Sequence, residues 1–162
     1  MEVSFVETMR GTLVTADGER TEVEFDVVAR APSVRTLLFT GRTELTGLLR
    51  APPFASEVPA RGSLVLGPTA LDYELHFTAA DGRALVLNGH KGPSLLKPVT
   101  SMTVMAAVLR DPEGNEVARG EMRFDLKDLV PFLASWLPVG RFAQRALDTR
   151  RRRVERHLLE EA

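Results

Sequence analysis

The sequence predicts a mainly β protein: an antiparallel eight-stranded barrel or strongly curved sheet, followed by two C-terminal helices. Three observations predict it. Apolar and polar residues alternate with a period of two through the first three quarters of the chain, the rhythm of strands with one face on a core. Glycine-bearing turns such as Ala16-Asp17-Gly18, Ala80-Asp81-Gly82 and Asp111-Pro112-Glu113-Gly114-Asn115 recur at short intervals. After about residue 125 the apolar period changes to that of a helix.

Between the turns, strands are expected near 3–14, 20–29, 42–50, 61–67, 70–78, 83–91, 99–110 and 115–125. In Glu22-Val-Glu-Phe-Asp-Val27, the residues Val23, Phe25 and Val27 point one way and the acids the other. Leu71, Tyr73, Leu75 and Phe77 repeat this pattern. The Asp81-Gly82 turn pairs Tyr73 with Gly89, Leu75 with Leu87 and Phe77 with Leu85, all on the inner face. The segment 50–60 carries three prolines and is expected to be a loop crossing the end of the sheet. Symmetric pairing about the Asp111–Asn115 turn sets Met102 opposite Phe124, Val104 opposite Met122, Ala106 opposite Gly120 and Val108 opposite Ala118, so that even-numbered residues share the apolar face. Leu126, Leu129, Val130, Leu133 and Ala134 then form a helical stripe, placing a short helix at 126–136 that Pro138 and Gly140 end. The chain thus divides into a β-barrel domain over 1–138 and an amphipathic helix over 139–162, whose last turns are expected to project or to meet another chain.

Composition bounds the function. A chain of 162 residues can bury a core without staples, removing roughly 70% of its unfolded surface from water. Apolar residues make up 44% and charged residues 27%, which excludes general disorder. A net charge of −1 supplies no global field for nucleic acid or an anionic membrane. Without cysteine there are no thiolate nucleophiles or sulfur metal ligands, and a cytoplasmic location is expected; no apolar run reaches the roughly 20 residues of a membrane helix.

No window holds a compelling catalytic motif. His76 and His90 fall on outward positions of different strands, and His157 belongs to a distant helix, so no metal site is expected. Lys91 shares parity with Leu85, Leu87 and Gly89 and enters the inner face at one end of the barrel. There its stem is expected to pack on the core while the ammonium reaches water at the rim, the alternatives being that it holds an anionic head group or pairs with an internal carboxylate. Gly89 is expected to be covered by the Tyr73 ring. Ser94-Leu-Leu-Lys97 has the spacing of a serine–lysine pair but lies between Pro93 and Pro98, away from any helix. The run Arg150–Arg153 reads as a solvated helix with internal ion pairs, given Asp148, Glu155, Glu160 and Glu161 nearby.

Phe5-Val-Glu-Thr-Met-Arg-Gly11, Leu45-Thr-Gly-Leu-Leu-Arg-Ala-Pro52, Asp72-Tyr-Glu-Leu-His-Phe-Thr-Ala-Ala-Asp-Gly-Arg83, Leu87-Asn-Gly-His-Lys91, Thr100-Ser-Met-Thr103 and Ala118-Arg-Gly-Glu-Met-Arg-Phe124 follow one another in an order that resembles a known region. It is the β-rich accessory region that accompanies the flavin domain in cholesterol-oxidase-like proteins of the glucose-methanol-choline class. The resemblance spans about residues 3 to 135. It implies a module associated with sterol or lipid metabolism and carries across no catalytic residue and no flavin fingerprint. With the inner face rich in Leu, Val, Met and Phe and lightened by Gly47, Gly89, Ala106 and Gly120, the expectation is a calycin-like, non-catalytic binder of an apolar or lipid-like molecule, without cofactor or metal. Its cavity is expected to be lined by Tyr73, Leu75, Leu87, Gly89, Lys91, Met102, Val104, Met122 and Phe124. The competing expectation is a protein-interaction or homodimerisation module that docks through Trp136, Phe142, Leu147 and Arg150.

Overall fold

The computed structural model describes residues 3–67, 69–92 and 103–124, together with Arg152 and Arg156. Eight antiparallel strands follow one another around a closed barrel: β1 (Val3–Thr15), β2 (Arg20–Ala31), β3 (Arg42–Ala51), β4 (Ala55–Leu66), β5 (Leu71–Thr78), β6 (Ala84–Lys91), β7 (Val104–Arg110) and β8 (Glu116–Phe124). β8 returns to pair with β1, from Met9 opposite Phe124 to Thr15 opposite Ala118. Full closure is one way for an all-β chain to remove its sheet edges. The expected helices at 126–136 and 139–162 lie outside the described residues, apart from Arg152 and Arg156, each helical and exposed.

Three of the hairpins use one device. Thr15 N–H donates to the Glu19 carbonyl at 2.9 Å and Gly18 N–H to the Thr15 carbonyl at 3.0 Å; the same pair of bonds joins Ala79, Gly82 and Arg83, and again Asp111, Gly114 and Asn115. Gly18, Gly82 and Gly114 all have φ near +85°, the three-residue hairpin whose last loop position takes the left-handed conformation. These turns and the β3–β4 turn lie at one end of the barrel. The opposite end carries the β2–β3 and β4–β5 connections and the last residues of β6 and β8.

Two features of that topology differ from the expectation. β4 begins at Ala55, so the proline-rich segment contributes a strand and not only a loop. Pro59 is tolerated because β5 pairs with β4 only from Arg61 onward, which leaves residues 55–60 with β3 on one side alone. A short helix, α1 (Val34–Thr40), joins β2 to β3. Ser33 caps it by accepting the Thr36 N–H at 3.0 Å, and Gly41 at φ +63° follows its end.

The inward side chains form one contiguous apolar cluster that includes Phe25, Leu45, Leu64, Leu75, Leu87 and Met122. Glycines stand where neighbouring backbones crowd, at the β1–β8 seam as at Gly47 and Gly62. A Cβ on Gly11 would lie 2.0 Å from the Glu121 carbonyl oxygen, and one on Gly120 would lie 2.1 Å from that of Thr12. Each strand therefore presses its backbone into its neighbour where the sheet bends shut.

The β5–β6 register matches expectation, with Tyr73 opposite Gly89, Leu75 opposite Leu87 and Phe77 opposite Leu85. The β7–β8 register does not. Met105 pairs with Met122, Ala107 with Gly120 and Leu109 with Ala118, so the odd-numbered residues of β7 face inward. The cause is a bulge: Leu109 opposes Ala118 but Arg110 opposes Glu116, so Val117 is an extra residue that shifts everything beyond it by one. Val104 and Val108 consequently lie half-buried on the outer side and Ala106 is exposed, whereas all three were expected inside. Replacing Met105 by Ala should cost about 2–5 kcal/mol in urea unfolding, whereas Ala106→Ser should cost under about 0.5 kcal/mol. The reverse ranking would restore the symmetric register.

Candidate functional site

Among the described residues the buried side chains are mostly apolar, and the buried charged ones, Glu7 and Lys91, come together. Glu7 and Lys91 are each 3% exposed and Tyr73 is 5% exposed. Glu7 comes from β1 and Tyr73 from β5, which stand on opposite sides of an eight-stranded barrel. Lys91 is the last residue of β6, next to β5. The Lys91 ammonium donates to Glu7 Oε1 at 2.8 Å and to the Tyr73 hydroxyl at 3.1 Å. The Tyr73 hydroxyl in turn lies 2.8 Å from Glu7 Oε2 and 3.0 Å from Oε1. Three side chains thus bridge the lumen at the end opposite the hairpins.

Contrary to the expectation of an ammonium in water at the rim, Lys91 is buried, because Glu7 meets it from the far wall and the carboxylate alternative holds. A buried lysine without an anion would carry a large desolvation cost, and the carboxylate offsets it. Lys91 Nζ also stands 4.9 Å from the Tyr73 ring centroid, a further contact for the cation. The Phe25 ring lies 6.4 Å from that of Tyr73, tilted by 43°, and shields the cluster from one side.

Burial pushes the Tyr73 hydroxyl well above its usual value near 10, and the Glu7 charge and hydrogen bond push it the same way. Folded Tyr73 therefore keeps its proton at pH values where the unfolded chain loses it. The folded state then binds more protons than the unfolded one, so this contribution to stability is complete below about pH 10 and is lost as pH rises further. Tyr73 is the only tyrosine in the chain, which makes the test direct. Tyrosinate absorbance should be absent through pH 10 and emerge only with unfolding. A titration centred near 10 in folded protein would contradict the buried placement.

Next to this polar brace the wall is adaptable. Met9, Met105 and Met122 are fully buried on β1, β7 and β8. The space over Gly89 is filled by Met105: a Cβ there would meet its Sδ at 2.2 Å and its Cε at 2.5 Å. Met105 supplies the atoms nearest to this glycine, which pairs with Tyr73 across the β5–β6 ladder. Methionine is unbranched and polarizable, so this filling can change rotamer at small cost.

Of the expected cavity residues, Tyr73, Leu75, Leu87, Gly89, Lys91, Met122 and Phe124 all line the interior. Val104 does not, for the register reason above, and Met102 lies outside the described residues. Trp136, Phe142, Leu147 and Arg150 also lie outside them. His76 and His90 are outward and exposed, paired at 2.6 Å with Glu74 and Asp72. His90, but not His76, borders a shallow outer depression of about 300 Å³ over β4–β7. Among the described residues no cluster of His, Asp or Glu is placed to hold a metal ion, and no helix is long and apolar enough to cross a membrane. The residue that sequence reasoning missed is Glu7, although its parity with Phe5 and Met9 marks it as an acid on an apolar face. No family model, curated protein or solved structure matches this chain.

Proposed function

We propose that the chain is a non-catalytic, calycin-like binding module for an apolar small molecule that carries a polar head. The observation that supports this most is the Glu7–Tyr73–Lys91 cluster, a mutually hydrogen-bonded polar point set inside an apolar lumen. A buried ion pair is not an economical source of stability, since well-packed hydrophobic residues often do as well or better. Its presence here is accounted for by recognition. The ligand's head meets the cluster, and its apolar body lies along the methionine wall once Met105 swings away from Gly89. The likeness in motif order to the accessory region of cholesterol-oxidase-like proteins is consistent with a lipid-type ligand.

Native mass spectrometry of the protein as purified, and again after incubation with a twelve-carbon alcohol, tests the reading. A one-to-one adduct is expected. Gly89→Leu should abolish it, because the added side chain and Met105 compete for the same space while the barrel stays folded by circular dichroism. Absence of any adduct under both conditions would leave the barrel as a scaffold with a packed core.

A further inference from the structure

The hydrogen-bond inventory of the cluster narrows the ligand's head, an inference that rests on the binding reading above. The Lys91 ammonium has three N–H donors; two are directed to Glu7 Oε1 and to the Tyr73 hydroxyl. The single Tyr73 O–H is used on the Glu7 carboxylate. Glu7 Oε1 takes both partners, whereas Oε2 takes Tyr73 alone and keeps acceptor capacity. The cluster therefore offers one donor and one acceptor. Its charges sum to zero, Lys91 against Glu7, so a charged head brings an uncompensated charge into the lumen.

We infer that the head group is a neutral hydroxyl: an apolar alcohol that accepts from Lys91 Nζ and donates to Glu7 Oε2. A carboxylate has no proton to give Oε2 and sets a second negative charge beside Glu7 in a low-dielectric interior. An ammonium head has the mirror problem beside Lys91. Only a group that is donor and acceptor at once, without charge, completes both.

Isothermal titration of the full chain at pH 7.5 with dodecanol, dodecanoate and dodecylamine, each below its aggregation limit, separates the possibilities. Dodecanol should bind at least about ten-fold more tightly than either ion, the order of discrimination expected when a buried polar group is left unpaired or faces a like charge. An ion that binds as tightly as dodecanol or more tightly overturns the hydroxyl assignment and leaves the binding module standing. Failure of all three to bind overturns both. Glu7→Gln, checked for folding by circular dichroism, should raise dodecanoate affinity by about ten-fold through removal of the like charge; unchanged affinity would contradict the role given to Glu7.

Discussion

Lys91→Met should destabilise the protein by about 3–5 kcal/mol in equilibrium urea unfolding, because it leaves the Glu7 carboxylate buried and unpaired. The double variant Glu7→Leu/Lys91→Met should recover most of the loss, since an apolar pair of similar volume fills the space without desolvating ions. The non-additivity is the informative quantity. If the two single variants and the double variant lose stability in simple proportion, the side chains do not meet across the lumen.

Gly11→Ala should be comparably severe, at or above the about 1–3 kcal/mol that core overpacking usually costs. The added methyl would sit 2.0 Å from the Glu121 carbonyl oxygen and 2.6 Å from the Met122 Cα, both backbone atoms of β8 that can yield only if the closing seam opens. Gly89→Ala is the paired control. There the obstacle is the far end of the Met105 side chain, which can rotate aside, so the cost should stay under about 1.5 kcal/mol. Thermal melts of the two variants check the contrast, and equal effects would indicate that the seam is looser than a closed barrel requires.

The barrel was legible in the sequence wherever one turn joined two uninterrupted alternations. For β5 and β6 the Asp81-Gly82 turn has no bulge on either side, so parity carried through to Tyr73 opposite Gly89. For β7 and β8 the same turn type was legible, but the bulge at Val117 was not, and one residue inverted the whole inner face of β7. A bulge is decided by the twist of the pair and by what each face must pack against, neither of which is local to Glu116-Val-Ala-Arg119. The helix α1 had its signals in Pro32-Ser33 and Gly41, yet at seven residues it is too short for periodicity to reveal. The polar cluster was half legible. Lys91 showed inward parity, but its partner lies 84 positions away in sequence and becomes adjacent only when β1 faces β5 and β6 across the closed lumen.

The sole tyrosine also reports the central claim, that the buried polar cluster is where a ligand's head is held. With tyrosine labelled by carbon-13 at its ζ position, the folded protein gives one ring resonance, that of Tyr73. Addition of dodecanol should move this resonance saturably, with the same affinity as the calorimetric binding curve. Dodecanol that binds by calorimetry while the Tyr73 resonance stays fixed would place the ligand elsewhere and contradict the account.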